Sequence, residues 1–123
     1  MKRIKLQDMS VDQLIERFTE IGLAEDEALL DDEIAKYNRL YDEMRDVEGE
    51  LRARGPKARL ELLKLFDHPN AQVRLKAAIA TLAVAPSAAR RTLQTISNRQ
   101  EYPQAADARG MIRALDNGTY KAT

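Results

Sequence analysis

The stretch Asp67-His68-Pro69-Asn70-Ala71-Gln72-Val73-Arg74-Leu75-Lys76-Ala77-Ala78, continued by Ile79-Ala80-Thr81-Leu82-Ala83-Val84-Ala85, decides the fold. Its first four residues form a turn, because proline and asparagine punctuate helices. From Ala71 to Ala85 the residues read as a helix that is apolar almost all round. A helix of that kind needs cover on two sides, so it belongs inside layers of other helices.

Working outward, Pro86 fits the first turn of a helix running through Ser97, with Ala89, Leu93 and Ile96 inward and Arg90, Arg91 and Gln94 outward. Pro103 begins a last helix whose buried stripe is Ala105, Ala108, Met111, Ile112 and Leu115, and Asn117-Gly118 ends it. Upstream, Lys57 to Phe66 forms a helix with a narrow polar strip of Lys57, Glu61 and Lys64, preceded by the stop Gly55-Pro56. A long helix is predicted near residues 25–53. Glu25, Asp26 and Glu27 suit its N-terminus, and Arg52 and Arg54 suit its end. Leu30, Ile34, Tyr37, Tyr41, Met44, Val47 and Leu51 recur along it every three or four residues, an apolar seam of coiled-coil type. Ser10 and Gln13 form a capping box for a first helix with Val11, Leu14, Ile15, Phe18 and Ile21 on one face, ending or bending at Gly22. No stretch alternates as a strand would. The expectation is an all-α domain of about six helices.

The chain of 123 residues is long enough for one domain with an adequate core. It has no cysteine, no tryptophan and one histidine, His68. That excludes disulfides, thiolate sites, cysteine nucleophiles and paired-histidine metal sites. The net charge is zero, but residues 1–54 carry 9 basic and 15 acidic side chains and residues 55–123 carry 11 and 5. The halves are therefore −6 and +6. The N-terminal Met1-Lys2-Arg3-Ile4-Lys5-Leu6 lacks the apolar run of a signal peptide, and no stretch approaches membrane-spanning length. A cytoplasmic protein without a membrane partner is expected.

The segment from Asp67 to Ala78 with Leu82 resembles a HEAT repeat, in which an aspartate-and-proline turn precedes Val-Arg, small residues and a leucine. The likeness covers Pro56 to Ala85, and Pro86 to Asp116 repeats it faintly. The order of elements also resembles a small uncharacterised bacterial protein family. The HEAT resemblance implies an armadillo-like alpha-alpha superhelix and a scaffold that binds partners on a concave surface. On that reading the chain is one domain, 1–123, with an acidic helical pair over 1–54, HEAT-like pairs over 55–116 and a loose tail over 117–123.

Chemistry finds little support. The five glycines are too scattered for a phosphate-cradling loop. A catalytic triad would need His68 with Ser10, Ser87 or Ser97, and none sits in a nucleophile elbow. Neighbouring carboxylates in Glu25-Asp26-Glu27 and Asp31-Asp32-Glu33 diverge by about 100° per residue on a helix and cannot meet on one ion. No enzyme activity, metal or cofactor is expected. The leading expectation is a small interaction module for a protein partner or a second copy of itself; the alternative is nucleic-acid binding by the basic half. Arg74, Arg109 and Arg113 are the candidate binding residues, on second helices of successive pairs. Arg74 has a competing role inside the turn-to-helix contacts, as implied by the HEAT resemblance.

Overall fold

The computed structural model describes residues 4–123. Among them are six α-helices and no strand: α1 Val11–Leu30, α2 Ile34–Ala53, α3 Pro56–Leu60, α4 Ala71–Ala80, α5 Pro86–Asn98 and α6 Gln104–Asp116. Shorter 3-10 segments occupy Leu6–Asp8 and Glu61–Asp67. The chain divides into two compact units, one ending at Glu61 and one running Leu62–Thr123.

In the first unit α1 and α2 pack together. Ser10 caps α1 through the expected box, its hydroxyl accepting from the Gln13 N–H while the Gln13 side chain accepts from the Ser10 N–H. The helix then runs past Gly22, which is buried, to Leu30. The expected long helix near 25–53 is thus two elements, broken at Asp31–Glu33. The break is a Schellman ending: Asp32 takes a left-handed φ of 55°, and the Glu33 N–H returns to the Ala28 carbonyl at 2.9 Å. Aspartate tolerates this conformation better than most residues, so no glycine marks the site.

That break overturns two further expectations. Glu25-Asp26-Glu27 lie in the later part of α1 rather than at a helix start, and Glu25 is fully buried. The apolar seam also loses its first half: Leu30 is 75% exposed and Ile34 72%. The core is instead Leu14, Phe18, Ile21 and Ala28 of α1 with Leu40, Met44, Val47 and Leu51 of α2. Each large side chain so buried contributes about 1.5–3 kcal/mol. Arg17 reaches Glu43 across the helix pair at 2.8 Å. Gly55, at φ 100°, and Pro56 end α2 and open α3 as expected.

In the second unit α5 packs between α4 and α6. Leu75, Ala78, Leu82, Ala89, Leu93, Ile96 and Ala108 form its core. Alanines at 77, 78 and 80 leave room for close helix packing, which is why α4 is buried on most sides. The predicted helix over 71–85 stops at Ala80, and Thr81 closes it by turning its hydroxyl back to the Ala77 carbonyl. The predicted helix from Lys57 to Phe66 tightens to 3-10 geometry after Leu60. The tail is not loose: Tyr120 and Ala122 pack on the core, and the Tyr120 N–H donates to the Ala114 carbonyl.

Candidate functional site

The second unit carries two recesses lined by arginine. The larger, about 580 Å³, lies where the turn before α4 faces α5; its lining includes His68, Arg74, Arg91, Thr95, Arg99 and Glu101.

Its floor is built from the turn. The Asn70 side chain caps α4 by accepting from the Gln72 and Val73 N–H groups, while the Asn70 backbone N–H donates to His68 Nδ1 at 3.0 Å. With Nδ1 accepting, the imidazole carries its hydrogen on Nε2. Arg74, only 6% exposed, donates from Nε to the His68 carbonyl at 2.7 Å and from Nη2 to the Pro69 carbonyl at 3.3 Å. Both guanidinium ends also bind Glu101, Nη1 to Oε1 and Nη2 to Oε2, each at 2.7 Å. This two-pronged bond is the main reason that the Arg74 pKa is raised and that the Glu101 pKa is lowered; burial opposes both shifts. Glu101 is delivered by the end of α5, another Schellman turn in which Gln100 has φ 55° and the Glu101 N–H reaches the Ile96 carbonyl.

One wall is a single face of α5: Ala88, Arg91, Thr92, Thr95 and, just past its end, Arg99. The Thr92 and Thr95 hydroxyls donate back to the Ala88 and Arg91 carbonyls. Since Arg74 and Glu101 neutralise each other, the side chains that set the field of the groove are Arg91 and Arg99, opposed by Asp67. Both arginines are exposed.

The smaller recess, about 390 Å³, holds Gln94, Ser97, Arg109, Ile112, Arg113 and Asp116. Arg109 is anchored there. It donates to the Ser97 hydroxyl at 2.9 Å and to the Ser97 carbonyl at 3.0 Å, bonds the Tyr102 hydroxyl, and lies 5.3 Å from the centre of the Tyr102 ring. Arg113 is exposed.

The candidate residues therefore separate. Arg109 and Arg113 share one recess, while Arg74 lines the other and is committed to Glu101 and the turn. Arg90, on the same helix as Arg91, turns elsewhere and bridges Asp116 at 2.8 Å. His68 and Ser97 also line different recesses, and the Ser97 hydroxyl accepts from Arg109. Sequence reasoning set Arg91 with Arg90, facing a different side from Arg74, and did not name Arg99, although their spacing with Ala88, Thr92 and Thr95 marks one helical face. It missed Glu101 for a different reason. A partner 27 residues from Arg74, placed by a turn with no glycine, leaves no periodic trace.

Among the described residues no group of three or more histidine, aspartate or glutamate side chains could hold a metal ion. No helix among them is long and apolar enough to cross a membrane.

A family model described as a domain of unknown function, DUF2019, matches residues 12–116. The chain is also similar to a solved structure, the crystal structure of the protein RPA1889 from Rhodopseudomonas palustris CGA009. The two are 41% identical with a TM-score of 0.94, over 98% of this chain and 100% of that one. No curated protein matches.

Proposed function

This chain belongs to the DUF2019 family of domains of unknown function, and we propose that it is a non-catalytic interaction module that grips an acidic segment of a protein partner. The observation that carries this reading is the groove of the second unit. Arg91 and Arg99 stand two helical turns apart, about 12 Å along α5, over a floor whose own charges cancel. Two exposed guanidinium groups against the single opposing carboxylate of Asp67 suit carboxylate ligands, which are acceptor-only when ionised.

The HEAT-like reading of residues 56–85 belongs to the same proposal. It is supported by the way Arg74 and Asn70 tie the turn to the helix that follows it. Stacked helical pairs offer a groove without needing catalytic groups.

The test is fluorescence anisotropy with a labelled alternating Asp-Glu decapeptide and, separately, a labelled DNA duplex. The expected result is salt-sensitive binding of the peptide that Arg91→Gln with Arg99→Gln abolishes and Arg113→Gln leaves alone. Two released counterions at most should accompany any phosphate contact here, with a salt slope of about 0.9 for each. Duplex binding without peptide binding would replace this reading with a nucleic-acid one.

A further inference from the structure

The turn joining α1 to α2 carries a second surface, on the other unit and of opposite charge, and it stands independently of the groove. Ala28, Leu29, Ile34 and Tyr37 line an apolar notch of about 220 Å³, with Asp32 and Glu33 at its rim. The Schellman ending of α1 makes the notch. Because Asp32 turns the chain in the left-handed region, Ile34 starts α2 away from the interhelical core and stays exposed, as does Leu30 at the end of α1. Two large aliphatic side chains at one turn, both more than two-thirds exposed, are poorly placed for stability alone.

The charge of the connecting turn is one-sided, with basic residues resuming only at Lys36 and Arg39 of α2. Between Arg17 and Lys36 the sequence has no lysine or arginine, but it has Asp26, Glu27, Asp31, Asp32 and Glu33, none of them buried. Glu27 and Asp31 sit at the carbonyl end of α1, where the helix dipole disfavours negative charge, and no basic residue in that last turn offsets them. No group here converges on a metal ion. An apolar notch edged by carboxylates complements one occupant, an apolar side chain with cationic neighbours.

We infer that this notch docks a basic peptide segment of a partner protein. One leucine- or phenylalanine-sized side chain enters between Ile34 and Tyr37, and flanking lysine or arginine side chains meet Asp31, Asp32 and Glu33. Such an anchor in a pocket with a charged rim is how small interfaces concentrate their binding energy.

The experiment is a nitrogen-15 NMR titration of the full chain with acetyl-Lys-Leu-Lys-Phe-Lys-amide. Acetyl-Glu-Leu-Glu-Phe-Glu-amide and acetyl-Lys-Gly-Lys-Gly-Lys-amide serve as controls. The expected result is saturable shifts confined to residues 28–37 with the first peptide alone. Ile34→Ser should weaken binding about tenfold, the loss expected for a central anchor contact. Asp31→Asn with Glu33→Gln should weaken it several-fold and flatten its salt dependence, Asp32 remaining as the one rim carboxylate. Ile34 is exposed, so the variant should melt like the parent; were it to misfold, the carboxamide pair still decides the question. Equal binding of the glycine peptide would overturn the proposal, as would unlocalised shifts or indifference to the carboxamide pair. The acidic-peptide reading of the groove uses other residues and an opposite probe, so either can fail alone.

Discussion

Arg74 and Glu101 meet edge to edge, both guanidinium ends on both carboxylate oxygens, although 27 residues separate them. The pair joins the turn before α4 to the end of α5, because the same guanidinium also holds the His68 carbonyl. One arginine thereby fixes the floor of the groove and the exit of the helix that forms its wall.

Removing one partner should be costly and acid-sensitive. Glu101→Gln is expected to lose about 1–3 kcal/mol at pH 7, since it leaves the buried guanidinium poorly satisfied. The Glu101 pKa is depressed by the Arg74 bond, so the pair's contribution is complete above the unfolded value and fades as pH falls through the lower folded value. The urea midpoints of both proteins should therefore begin to approach each other as pH falls past the unfolded glutamate value of about 4.3, and meet only below the lower folded value. A difference that stays constant from pH 7 to pH 3 would refute the assignment.

Arg109 is exposed by area yet anchored by geometry. The sequence alone suggests that Arg109→Gln leaves melting unchanged. With Ser97 and Tyr102 engaged, a loss of about 0.5–1.5 kcal/mol is expected instead. Arg113→Gln should stay within about 0.5 kcal/mol of the parent, as surface changes do. Thermal melts of the two variants side by side make the comparison.

The starts of the helices after Pro56 were legible because proline and asparagine mark starts and caps in the sequence itself, whereas α3 and α4 stop short of the expected Phe66 and Ala85. Pro86 and the Asn117-Gly118 stop lie within a residue or two of the α5 start and the α6 end they predict. The first half misled for a physical reason. A helix ending on Asp32 in the left-handed region looks, in sequence, like a helix continuing, and Gly22 looks like an ending although it is buried mid-helix. The basic character of the groove was legible as a surplus of arginine; its geometry was not, because Arg74 and Glu101 cancel only in three dimensions.

Replacing Asp32 tests that account of the break. Asp32→Gly should raise stability by up to about 1 kcal/mol, the relief of a left-handed side chain less the added freedom of the unfolded chain. Asp32→Val should lower it, because a β-branched side chain is least compatible with positive φ. If glycine and valine behaved alike in denaturant titrations, the left-handed assignment would be wrong.

Seam and core can be told apart in the same way. Leu93→Ala, at a fully buried site of the second unit, should cost about 2–5 kcal/mol. Leu30→Ala should change stability by no more than about 0.5 kcal/mol. Comparable losses at both positions would restore Leu30 to the core.

The burial of α4 has a consequence for how the chain tolerates change. Gln72, Val73, Arg74, Leu75, Ala77, Ala78 and Ala80 are all enclosed within its ten residues, whereas α5 hides Ala89, Leu93, Ile96 and Ser97 and turns its remaining sides outward. In a saturation-mutagenesis map scored by folded yield, α5 should show intolerance returning with each helical turn. The segment Gln72 to Ala80 should instead read as an almost unbroken block in which even alanines refuse larger side chains, because only Lys76 and Ile79 offer a partly outward side.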